Sequence, residues 1–203
     1  MVVNLKASHN FAKALIKNSK TDSVDAETLA QYAERMDFVA WIRPSNEKIA
    51  IRSLARRINA LTRQKAVAKN HLHTLTVSQE TPKAILCDVK LAISQLEKRI
   101  DRLAKEVLIL IKQQTELERV FLLLIGIKGV AQTSAIALMG ELLWLPPDLS
   151  HREWVKFAGL DPRVFDSGKS VHKKTRISKA GNRHIRTALY MPALSAKQHD
   201  PHV

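Results

Sequence analysis

Apolar residues recur at helical spacing through most of the middle of this chain. After the break at Arg43-Pro44-Ser45-Asn46, Leu54, Ile58, Leu61, Ala68, Leu72 and Leu75 follow one another on one face of a basic helix. Beyond Pro82, Val89, Ile93, Leu96, Ile100, Leu103, Val107, Leu110 and Leu117 continue in steps of three and four, interrupted at Gln114. The pattern predicts two long helices joined near Thr81-Pro82, as an antiparallel hairpin or coiled coil; a plain helical bundle accounts for the same stripe.

The flanking segments carry shorter signals. Val2-Val3 reads as a strand-like piece, and Thr21-Asp22-Ser23 supplies cap residues for an amphipathic helix with acid at its start. Residues 120–145 hold two apolar helical stretches separated by Gly126 and Gly129, the pattern of a helix-hairpin-helix. Its backbone N–H groups, with Lys128 beside them, suit a phosphate; a tight connection between two helices reads the same way. Ser150 to Glu153 forms a capping box that opens a short helix, which Gly159 ends. A polar loop follows, and Gly181-Asn182 leads into a last helix, bent or broken at Pro192.

Composition sharpens this picture. The 203 residues hold 33 Lys and Arg against 19 Asp and Glu, a formal charge of +14, which favours polyanionic partners and nucleic acid first among them. Half of that excess falls in residues 150–203. The single cysteine, Cys87, forms no internal disulfide and is expected as a buried, inert thiol, in keeping with a reducing cytosol. The longest strongly apolar run, Val120 to Ile127, is too short to span a bilayer, and the N-terminus lacks a signal-peptide core. A cytoplasmic, bacterial-type protein with no membrane partner is expected.

The chemistry concentrates between Gly159 and Leu189. Ser167-Gly168 sits in the polar loop, and the nineteen residues after Ser167 carry Lys169, Lys173, Lys174, Arg176, Lys179, Arg183 and Arg186 without one carboxylate. Surface segments usually mix both signs, so this run points to a phosphate-binding surface beside a hydroxyl. Taken by itself, Ser167 is a turn residue and the cations a solvated face. Few aromatics lie nearby, so stacking on unpaired bases is not indicated.

Several motifs stand in a fixed order: Lys20-Thr21-Asp22-x-x-Asp25-Ala26, the helical hairpin, Ile125-Gly-Ile-Lys-Gly129, Phe157-Ala-Gly-Leu-Asp-Pro162, Ser167-Gly168 and Arg176-Ile-Ser-Lys-Ala-Gly-Asn182. Together, over essentially the whole chain, they resemble the DEDD-type insertion-sequence transposases, whose recombinases are guided by a structured bridge RNA. That resemblance implies a mainly α fold: residues 1–42 as the remnant of a RuvC-like α/β domain, 43–118 as the helical hairpin, and 119–203 as a helical transposase domain. It implies Asp22 and Asp25 as the last two of four Mg²⁺-binding acids, and Ser167, with Ser170 as substitute, as the nucleophile on a DNA phosphate. By the same resemblance Lys169, Lys173, Lys174 and Arg176 flank the scissile phosphate, and Lys179, Arg183 and Arg186 hold backbone phosphates at the start of the last helix. The family's first Asp and its Glu fall before Met1 and its sequence runs on past Val203, so a copy truncated at both ends is expected.

The resulting expectation is a DNA-cleaving and rejoining transposase with DNA, a structured guide RNA and a second copy of itself as partners. The missing acids favour an alternative, a helical nucleic-acid-binding module without catalysis. A structural coiled-coil protein is the third reading. The heptads do not decide between dimerisation and packing within one chain.

Overall fold

The computed structural model describes residues 5–15, 21–36, 42–78, 80–146, 148–167 and 171–201, and it is mainly helical. The expected strand at Val2-Val3 lies outside the described residues. Two compact units divide the chain, residues 1–44 and 45–203.

In the first unit, α1 (Leu5–Ala14) is followed by α2 (Asp22–Arg35), whose start is capped by the Thr21 hydroxyl accepting from the Val24 amide. Phe11 meets Tyr32 edge to face with ring centroids 5.3 Å apart, which joins the two helices. Thr28 is buried and returns its hydroxyl to the Val24 carbonyl, so burial leaves no polar group unpaired there.

The second unit opens with α3 (Asn46–Val77), capped by Ser45, and α4 (Lys83–Lys112), which starts after Pro82. They form the expected antiparallel hairpin, with Lys65 and Lys69 near Glu97 across it. The interruption at Gln114 is a helix boundary: α4 ends and α5 (Thr115–Gly126) starts again after it. Then come α6 (Gln132–Leu142), α7 (His151–Ala158) and α8 (Arg183–His199). Buried Ile51, Ala55, Ile58, Val107, Ile111, Leu117, Phe121, Ile136, Met139 and Ile185 make one apolar cluster, so the long hairpin and the C-terminal helices share a core.

α6 is buried continuously from Ala135 to Glu141, because α3, α5 and α8 all pack against it. Gly140 permits the α3 contact. A Cβ built there would stand 2.8 Å from the Ala55 Cβ and 3.4 Å from the Arg52 Cα.

Three expectations need correction. The polar loop holding Ser167 is a strand end, since β1 (Pro162–Ser167) pairs antiparallel with β2 (Val171–Ile177). Of the bend or break expected at Pro192, the break does not occur: α8 is continuous through it, the helix absorbing one lost amide donor and the crowding of the carbonyl four residues back. Cys87 is exposed, because its position on α4 lies off the stripe that faces α3.

Candidate nucleic-acid interface

The basic hairpin is anchored at its base. Ser150 and Glu153 complete the capping box of α7, which ends at Gly159 in the left-handed conformation, φ 66°. Leaving that turn, the chain enters β1, and the register sets Pro162 opposite Ile177, Arg163 opposite Arg176, Phe165 opposite Lys173, Asp166 opposite His172 and Ser167 opposite Val171, with an irregularity between Arg163 and Phe165. Ser178 closes the base: its amide donates to the Asp161 carbonyl at 2.8 Å and its hydroxyl to the Asp161 carboxylate. The next residue, Lys179, takes the left-handed region at φ 54°, an uncommon conformation for a side chain this size, and donates its amide to Gly159.

Two glycines make this anchorage possible. The Asn182 amide donates to the Phe157 carbonyl at 2.7 Å, and a Cβ on Gly181 would collide with that same carbonyl. The strands thus leave and return to one point where α7 ends and α8 begins. Ser167 is placed by its backbone at the far end of β1.

Of the expected phosphate-binding residues, Lys174, Arg176, Lys179 and Arg183 are exposed around this hairpin and the first turn of α8. Lys173 is placed by its backbone on β2, and Lys169 and Ser170 lie outside the described residues. Arg186 is half-buried, and its Nη1 donates to the Ala158 and Gly181 carbonyls at 2.8 and 3.0 Å, which braces the hairpin base. The turn between α5 and α6 exposes Gly126 and Lys128. Gly129, at φ 90°, instead faces α8: a Cβ there would stand 2.5 Å from the Pro192 carbonyl oxygen.

The sequence reading passed over the group that orders all of this. Glu141, only 2% exposed at the end of α6, receives the Arg56 guanidinium through Nε at 2.8 Å and Nη2 at 3.2 Å, and Arg52 Nη2 at 3.2 Å. Its Oε2 also accepts from Asn182 Nδ2 at 2.7 Å, while Asn182 Oδ1 caps α8 by accepting from the His184 amide. Burial pushes the Glu141 carboxyl up, but the Arg56 and Asn182 hydrogen bonds and the charges of Arg52 and Arg56 outweigh it and hold it below the ordinary glutamate range. Arg52 in turn lies over the Trp144 ring, 4.2 Å from its centroid. A lone acid inside an apolar helix was the available signal, since burial demands a partner for it.

Asp22 and Asp25 stand exposed on the first turn of α2, in the other unit. Among the described residues no group of three or more His, Cys, Asp or Glu is placed to hold a metal ion. This pair fits a divalent ion only as part of a larger donor set. No described helix is long and apolar enough to cross a membrane.

Comparison with known proteins converges on one family. A family model described as the transposase IS116/IS110/IS902 family matches residues 122–203, and a DEDD transposase model of the IS110 type matches residues 1–78. Pilin gene-inverting proteins of Moraxella bovis and Moraxella lacunata are each 28% identical over 197 residues, covering 95% of this chain. The chain spans 58% of the length of these relatives. Membership of a DEDD family implies a divalent metal cofactor. With residues 1–78 and 122–203 each matched by a model of one family, the chain belongs to the IS110-type DEDD transposases.

Proposed function

We propose that this chain works in DNA transposition or inversion, cutting and rejoining DNA through a phosphate ester on Ser167. The observation that carries the reading is the anchored basic hairpin: by its backbone Ser167 ends β1, and exposed Lys174 and Arg176 follow along β2 toward the base, where Arg183 opens α8. The Moraxella relatives are named for inverting a pilin gene, an outcome that requires strand cutting and rejoining.

In the proposed step the Ser167 hydroxyl oxygen bonds to the phosphorus of a DNA phosphodiester while the bond from phosphorus to one deoxyribose oxygen breaks. The serine proton is lost and the leaving oxygen is protonated. Attack by a hydroxyl of the second strand reverses this chemistry and frees the serine. Phosphodiester energy is retained in the ester, so no nucleotide is consumed. Lys169, Lys173, Lys174 and Arg176 neutralise the phosphate under attack, Lys179 and Arg183 hold neighbouring phosphates, and the turn at Gly126 and Lys128 contacts backbone without reading sequence, while Gly129 seats that turn on α8. Arg186 supports them from beneath. Asp22 and Asp25 contribute two hard oxygen donors to an Mg²⁺ set completed by further acids.

A structured guide RNA, a dimeric assembly and a bacterial cytoplasmic setting belong to the same reading. One observation favours a second reading: two acids without a third partner group among the described residues suit a binding module without catalysis. A gel-shift salt titration on duplex DNA spanning the element's ends, combined with a search for covalent protein–DNA adducts, separates the two. Adducts that vanish in Ser167→Ala with affinity retained support the enzyme. A steep salt slope without adducts supports the module.

A further inference from the structure

The Glu141 cluster joins Arg56 of α3 to Asn182 at the start of α8, 85 residues before and 41 residues after the glutamate, and it brings the cations of the two helices onto one surface. Arg56 keeps 43% of its side chain exposed while it bonds Glu141, so its outer N–H groups face solvent. Arg63 lies seven residues further along α3, two helical turns and about 10 Å away on the same face. Asn182, which shares the Oε2 of Glu141 with the arginines, sets the first turn of α8, where Arg183 and His184 begin. Both Arg56 and Arg63 act electrostatically on the half-buried His184 ring, as does Arg183, and their repulsion adds to burial in holding its basicity below the ordinary histidine range.

The charge balance of this surface is one-sided. Arg52, Arg56, Arg63 and Arg183 meet a single carboxylate, which is buried and shared by the first two. Among the described residues no carboxylate lies within ion-pair distance of Arg63 or Arg183, both exposed. Such a concentration of like charge, held rigid by a buried acid, is stabilised by a polyanion. The separation along α3 is too long for one phosphate group and suits a repeating one. Its exposed charges are the guanidinium groups of Arg63 and Arg183, with His184 half-buried beside them, so the surface fits a paired backbone better than unpaired bases.

We propose that Arg56 and Arg63 of α3, with Arg183 and His184 at the start of α8, form a phosphate track that holds duplex DNA beside the basic hairpin. The proposal rests on the DNA-transposase reading and extends it to the long helical hairpin.

Fluorescence anisotropy of the full chain on a 30-base-pair DNA duplex, titrated with salt, tests it. Arg63→Gln/Arg183→Gln should weaken binding about tenfold and reduce the salt slope by about 2, one unit for each lost phosphate contact. Arg99→Gln/Arg102→Gln, which removes two exposed cations of α4, should change the slope far less. The charge-retaining Arg63→Lys/Arg183→Lys should bind close to the parent protein. Equal losses in the two glutamine variants overturn the track and leave the transposase reading standing. A loss confined to duplex RNA also overturns it. No duplex DNA binding by the parent protein overturns both.

Discussion

Asn182 donates its side-chain amide to the buried carboxylate of Glu141 at 2.7 Å, across 41 residues of sequence. With its side-chain oxygen the same asparagine caps α8, accepting from the His184 amide. One side chain thus fixes both where the last helix starts and how it sits against α6, and the basic hairpin returns to that point. The arrangement converts a buried charge, ordinarily a liability, into the joint that orients the cationic surface.

Glu141→Ala should therefore be severely destabilising. It strands the Asn182 amide and deprives Arg52 and Arg56 of their common acceptor; because both guanidinium groups keep access to water, the loss falls at the low end of the roughly 3–5 kcal/mol that breaking a fully buried ion pair costs. Urea unfolding measures this directly. Because the folded state holds this carboxyl below its ordinary range, its contribution is complete above about pH 4.3 and is lost as pH falls through the depressed folded value. Glu141→Gln should flatten that acid limb.

His184 offers an independent reading of the same cluster. Burial, and then repulsion by Arg56, Arg183 and Arg63, lowers its proton affinity, while Glu141 raises it. Its titration, followed by NMR of the imidazole, should centre below about 6.5. The folded chain resists this proton, so its contribution to stability is complete above the ordinary histidine value and declines as pH drops through it. In folded Glu141→Gln the midpoint should move lower still, because the attractive charge is gone. A midpoint unchanged by that substitution would place His184 outside the cluster's field.

Gly129→Ala should destabilise by about 2 kcal/mol or more. Its φ of 90° strains any side chain, and the added methyl meets the Pro192 carbonyl of α8. Chemical denaturation should show the loss without a change in m-value. Gly126→Ala, with nothing within 4 Å of the added methyl, should lack this penalty.

Much of the fold could be read from periodicity and caps. The two long helices, the box at Ser150 and Glu153, the left-handed Gly159 and the start of α8 at Asn182 all follow from local chemistry, and local chemistry acts through neighbours in sequence. The β-hairpin escaped because its strands carry Arg163, Lys173, Lys174 and Arg176 in place of an apolar alternation. Glu141 escaped for the opposite reason: its partners Arg52, Arg56 and Asn182 lie 41 to 89 residues away. Of the site, the order of motifs was visible in the chain, but the joint that holds them is tertiary.

The central claim is that Ser167 bonds covalently to DNA. Incubating the protein with a duplex bearing the element's ends, nicked beside the cleavage site to trap the ester, and mapping the modified peptide by mass spectrometry tests it most directly. The account predicts a nucleotide remnant on Ser167, absent in Ser167→Ala. A remnant on Ser170, or an adduct that survives Ser167→Ala, would contradict it.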